Sequence, residues 1–141
     1  MSTSRRFLSV EDVTQIHLDT LRHEGGLSGT RDHGLLESAV MMPRQQFDGS
    51  YLHRTLAEQA AAYLFHICAN HPFNDGNKRA AVLASLVFLR VNGVTQLPDP
   101  SELEELTMKC AAGELTKAQV TTFFRKRTHK TTPRSGKKRG R

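Results

Sequence analysis

The chain of 141 residues has no tryptophan, two tyrosines, two cysteines and five prolines, and only 6% of it is aromatic. Cys68 and Cys110 are two thiols in a chain that reads as having no signal peptide, so free cysteines in a reducing cytoplasm are the expectation. His66 and His71 flank Cys68, but no CxxC or HExxH pattern completes a ligand set, which argues against zinc. No apolar run is long and uncharged enough to span a membrane, and Ala80 to Leu89 reads as a core helix by its length. Nothing repeats internally, and the length allows one domain with one core. Strand signals are weak, so the expected class is all-α, with at most a small hairpin between Pro43 and Arg54.

Acidic charge is also scarce, with 20 Lys and Arg against 14 Asp and Glu, a net of +6 and a pI near 9.7. Taken whole, that balance suggests nucleic acid. Yet nine of the cations lie from Arg125 onward with no acid among them, so residues 1–124 carry 11 against 14, a net of −3. The body is mildly acidic and the basicity belongs to the tail.

What is present is a series of helix signals. Ser9 with Asp12 caps a helix running to Gly25, with Val10, Val13, Ile16 and Leu21 facing inward. Asp32 starts a second helix through Met42, stopped by Pro43. Thr55 with Glu58 forms a capping box for a third, ending near Asn70, with Tyr63, Leu64 and Ile67 on its core face. A fourth, Asn77 to Val91, is apolar almost all round and is expected at the centre. Ser101 with Glu104, and Thr116 with Gln119, are read as opening two more. His17, His23, His33 and His53 carry no motif and are expected at the surface.

The stretch HPFNDGNKR, His71 to Arg79, asks for more than packing. It joins a base, a carboxylate, a glycine, an amide and two cations where a loop turns into the fourth helix. The first N–H groups of a helix lack intrahelical partners and the dipole is positive there, so phosphate oxygens are attracted. Asn77, Lys78 and Arg79 sit on that end, and Gly76 lets the backbone approach a ligand closely. Lys78 supplies a point charge and Arg79 a planar fork of donors. Asp75 would repel a bare phosphate but makes sense if Mg²⁺ bridges the two. His71 is placed to take a proton near neutral pH. Base, metal ligand and cradle together suggest transfer of part of a nucleotide to a hydroxyl.

HPFNDGNKR resembles the signature of the Fic/Doc (Fido) superfamily, and Lys78 is typical of its death-on-curing, or Doc, branch. GLSGTRDHGLLESAV, AEQAAAYLFHICAN and LVFLRVNG are similar to Doc toxins in the same order and spacing, from about Phe7 to Phe124. The resemblance implies a compact Fido-type helical bundle around a central buried helix. Residues 1–124 would be the catalytic domain and 125–141 a basic, disordered tail. It implies the toxin of a type II toxin–antitoxin pair, using ATP and Mg²⁺ to move the γ-phosphate onto a threonine of a translation factor such as elongation factor Tu. Fic-type members move AMP instead. By position, His71 would be the catalytic base, Asp75 the metal ligand, and Gly76, Asn77, Lys78 and Arg79 the phosphate holders, with Pro72 and Phe73 shaping the loop. Fic enzymes have a glycine where this chain has Lys78 and a second arginine where it has Val82; both departures favour the kinase.

Thr20, Glu24 and Gly25 match the T-x-x-x-E-G spacing of the inhibitory helix of many Fic proteins. Without the second arginine the glutamate is expected to be a plain helix end, and inhibition to come from a Phd-like antitoxin folding onto the active-site groove. The region around Phe47 and Tyr51 resembles the superfamily's target-docking flap, although packing is the plainer expectation for both. The tail, THKTTPRSGKKRGR, leaves three readings open: a solvated tail, a contact to RNA or ribosomes, or a clamp on an acidic antitoxin. A non-catalytic nucleic-acid-binding module using that tail is the alternative of a different class.

Overall fold

The computed structural model describes residues 5–130. Six α-helices carry the fold: α1 (Val10–Glu24), α2 (His33–Met41), α3 (Leu56–Asn70), α4 (Asn77–Val91), α5 (Pro100–Ala111) and α6 (Lys117–Arg127). The all-α expectation holds, and the starts of α1, α3 and α6 are set by the capping boxes of Ser9, Thr55 and Thr116. Helix α2 stops at Met41, where Pro43 forces a 3₁₀ turn over Met42–Arg44. Helix α5 starts earlier than expected: Asp99, not Ser101, is its cap, because Pro100 fits the first helical position.

The centre is shared by α3 and α4 rather than held by α4 alone. Helix α3 packs on α2, α4, α5, α6 and the 3₁₀ turn. Its Ala60, Ala61 and Ala62 are fully buried, and such small side chains let neighbouring backbones come close. Helix α4 buries Ala80, Ala81, Ala84, Phe88 and Leu89 against α3, α1 and α5, while Val87 and Val91 stay at the surface. Tyr63 shows how the core meets its polar atoms: its ring packs on Phe88, and its hydroxyl accepts from the Leu8 N–H at 2.8 Å. Burial pushes that phenol up to about 12.

Strands β1 (Gln46–Phe47) and β2 (Ser50–Tyr51) form the expected hairpin, turned by Asp48 and Gly49 with φ of 54° and 81°. Tyr51 packs edge-on against Phe7, but Phe47 is 74% exposed, so packing does not account for it. A second ladder was not legible in the sequence: β3 (Val94–Gln96) pairs with β4 (His129–Lys130). The folded chain thus runs past the expected boundary at 124. Arg125, Lys126 and Arg127 form the last turn of α6, where cations suit the dipole, and Arg127 pairs with Glu102 at 3.0 Å over the Phe123 ring. The remainder of the tail, 131–141, lies outside the described residues. No helix among the described residues is long and apolar enough to cross a membrane.

Candidate active site

Helix α3 ends on His71, which takes the left-handed conformation (φ 52°, ψ 53°) that non-glycine residues rarely adopt. Surrounding bonds hold it there. Its N–H donates to Ile67 at 3.1 Å, and Arg31 donates Nε to the His71 carbonyl at 2.8 Å and Nη2 to Asn70 at 2.9 Å. A cation on the last carbonyls of α3 also complements its dipole. The imidazole stands on the exposed side of this turn.

A strap from Gly26 to Asp32 then clamps the loop. Arg31 and Asp32 donate their N–H groups to the Pro72 carbonyl at 2.7 and 3.1 Å, and the Asn74 side chain donates to Ser28 at 3.0 Å. Pro72 and Phe73 are buried, as expected for loop anchors. The Phe73 ring stacks on His17 at 3.8 Å and 5°, and His17 Nε2 donates to the Asp75 carbonyl at 2.7 Å. His17 is 1% exposed, so the surface expectation for it fails. The signal was available: with Val13 and Thr20 it lies on one helical stripe of α1, and that stripe is the buried one.

Asn77 is where structure and sequence part most. Its Oδ1 accepts from the Phe73 N–H at 2.9 Å and its Nδ2 donates to the Phe73 carbonyl at 3.0 Å, all of it buried. The side chain locks the loop and leaves only the backbone N–H to meet an anion.

Five of the six α-helices have a capping side chain, and α4 does not: its cap is Gly76, at φ 78°, with the His17 ring packed beneath. The donors at its first turn therefore face a cavity of about 400 Å³ lined by Thr20, Glu24, Gly26, Asp75, Lys78 and Arg79, among others. Lys78 is exposed on this rim and takes part in none of the ion pairs of the described residues. Asp75 presents its carboxylate at the same mouth, accepting from the Leu27 and Gly76 N–H groups at 3.2 and 3.0 Å. Gly26 makes room for it, since a Cβ there would lie 3.0 Å from Oδ2. Among the described residues there is no cluster of three His, Cys, Asp or Glu able to hold a metal. One exposed carboxylate beside the uncapped end of α4 has the character of a Mg²⁺ ligand, since that ion takes few protein ligands and completes its shell with water or the oxygens of a bound anion.

Arg79 is engaged on both sides. Its guanidinium pairs with Glu104 at 2.7 Å and with Glu24 at 3.4 Å. Glu24 is therefore not a plain helix end: the absent second arginine is replaced as its partner by Arg79 itself. Neither contact was expected, because both join residues distant in sequence.

Other reactive side chains stand apart. Cys68 and Cys110 are free and buried. A hydrogen bond from one thiol to the other, with burial, pushes Cys68 up and makes it a poor nucleophile. Lys117 Nζ lies 3.0 Å from Nε2 of both His53 and His66. Burial and that ammonium push His66 down to about 4.

These elements define a helical domain whose histidine-bearing loop is clamped ahead of an uncapped, cationic helix N-terminus. The Fic/DOC family model matches residues 7–89. The chain is 38% identical over 122 residues to "Protein kinase doc" of Escherichia phage P1, covering 86% of this chain and 94% of that protein. It is 41% identical over 75 residues to "Toxin Doc" of Mycolicibacterium smegmatis, covering 53% and 58%. The chain belongs to the Fic/Doc family, in its Doc branch.

Proposed function

We propose that this protein is a toxin of a toxin–antitoxin pair and acts as an ATP-dependent protein kinase. The observation that carries the reading is the uncapped N-terminus of α4, with Lys78 and the Asp75 carboxylate on its rim and His71 at the head of the same loop. The phage P1 relative, a protein kinase by name, supports it. The target hydroxyl would be a threonine of a translation factor such as elongation factor Tu, and its modification would stop translation in the cytoplasm.

In this mechanism the backbone N–H groups of Asn77 to Arg79, with Lys78, hold the phosphates, while the Gly76 N–H stays on the Asp75 carboxylate. His71 takes the proton of the attacking hydroxyl as its oxygen bonds to the γ-phosphorus, while the bond from that phosphorus to the β-bridging oxygen breaks and ADP leaves. Asp75 would hold Mg²⁺, which supplies charge neutralisation on the phosphates when bound. Arg31, His17 and Asn77 keep the loop in place without touching the reacting atoms. The nucleotide has to compete with Glu24 for Arg79. The exposed Phe47 on the hairpin is offered to the target peptide, and a Phd-like antitoxin would cover the groove.

The test is transfer of label from γ-labelled ATP to a protein in bacterial lysate, using wild-type and His71→Ala protein. Label that depends on His71 supports the reading; equal labelling by the folded variant removes His71 as the base. Transfer of AMP, the alternative, would need α-labelled ATP to give the signal.

A further inference from the structure

Cys68 and Cys110 have no part in the proposed mechanism, yet the fold brings their sulfurs together. Cys68 lies near the end of α3, on the buried stripe that Ala57, Ala61 and Leu64 form at helical spacing. Cys110 lies near the end of α5, on the buried stripe of Leu103 and Thr107. The two helices pack on each other, and in their seam the two thiols are hydrogen-bonded to one another. Among the described residues no third His, Cys, Asp or Glu joins them to complete a metal site, so the pair stands as a dithiol. We propose that Cys68 and Cys110 form a redox-sensing pair that hydrogen peroxide closes to a disulfide. Cys110 lies beyond the residues 7–89 that the family model matches, and the proposal does not depend on the kinase reading.

The two thiols are not equivalent, and the difference assigns their roles. The Cys68 thiol donates to the Cys110 sulfur, which pushes Cys110 down, while that bond and burial push Cys68 up. Cys110 is therefore the attacking thiolate and Cys68 the resolving thiol. Access agrees: Cys110 sits between the exposed Lys109 and Ala111, so a molecule as small as peroxide has a short way in. The Cys110 thiolate attacks one peroxide oxygen, the O–O bond breaks, and the leaving hydroxide takes up the proton that Cys110 released, forming water and a sulfenic acid. The Cys68 sulfur then attacks the Cys110 sulfur and the S–O bond breaks, the hydroxyl leaving with the Cys68 proton as a second water. Two thiols are oxidised and one peroxide is reduced. The bond joins the helix that ends on His71 to the helix whose Glu104 holds Arg79.

The test treats the full, reduced chain with hydrogen peroxide, removes the excess with catalase, unfolds the protein in iodoacetamide and weighs it. The expected product has lost two hydrogen atoms, takes up no iodoacetamide, yields a peptide linking Cys68 to Cys110, and returns to the dithiol with dithiothreitol. Melted without reductant, it should gain about 10 °C in thermal midpoint, the loop-closure effect of a bond spanning about 40 residues. Cys68→Ser should stop the reaction at a sulfenic acid on Cys110 that dimedone traps, and Cys110→Ser should leave Cys68 slow to oxidise. Two alkylated cysteines in the peroxide-treated wild-type protein, or a disulfide joining two chains in place of one within a chain, overturns the proposal without recourse to a variant. Equal rates of thiol loss in the two serine variants overturn the assignment of Cys110 as the attacking sulfur.

Discussion

Replacing Asn77 with alanine removes both bonds that tie the loop to the first turn of α4. The Phe73 N–H and carbonyl, fully buried with their ring, are left with no partner. An unsatisfied buried polar group costs about 1–3 kcal/mol, so the two together cost about 4 kcal/mol. At roughly 3 °C per kcal/mol for a chain of this size, the thermal midpoint should fall by about 12 °C. Asn77→Asp keeps the acceptor for the Phe73 N–H and loses the donor, and should fall roughly half as far. The assay is thermal unfolding by circular dichroism, repeated with urea. If the Asn77 side chain instead served to grip phosphate, the alanine variant would keep its midpoint within about 2 °C and lose nucleotide affinity alone. That result would refute the reading of Asn77 as a loop lock.

Further outcomes follow from the same contacts. Glu24→Ala releases one carboxylate from Arg79; since exposed ion pairs are worth up to about 1 kcal/mol, ATP should bind up to about fivefold more tightly in calorimetry, and unchanged or weaker binding would count against the competition. His17→Phe keeps the stack on Phe73 and loses the donor to the Asp75 carbonyl, so the rate of transfer should fall about fivefold with the fold retained; an unaltered rate would remove His17 as a positioning residue. Acidification should destabilise the protein through His66: its folded pKa, about 4, lies below the ordinary 6.5, so the unfolded chain takes up the proton first. That contribution is complete above pH 6.5 and lost as pH falls toward 4, with His53 acting in the same direction. His66→Gln should flatten the change in urea midpoint between pH 6.5 and 4, and an unchanged slope would rule out this group as its source.

Much of the fold could be read from local signals. Capping boxes at Ser9, Thr55 and Thr116 placed three helix starts because a cap needs only neighbouring residues. The start of α5 was misread because Ser101 and Glu104 mimic the same box, whereas Asp99 followed by proline makes the better cap. The β3–β4 ladder joins segments more than thirty residues apart and is two or three residues wide, too short for any alternation to register. The site was legible as a list of residues and less so as a set of roles. His71, Asp75, Lys78 and Arg79 were recognisable by chemistry, but Asn77 turned out to bond inward and Glu24 to reach Arg79. Both depend on how the loop closes over α1, and that is tertiary information. Arg31 was passed over because a single arginine after a glycine-rich strap carries no pattern of its own.

The most direct test of the central claim is a comparison of ATP labelled at the γ-phosphate with ATP labelled at the α-phosphate, using the wild-type chain, Mg²⁺ and bacterial lysate. Label on a protein from the γ position alone is the predicted result. Label from the α position would mean AMP transfer, and would contradict the kinase reading of Lys78 and Val82.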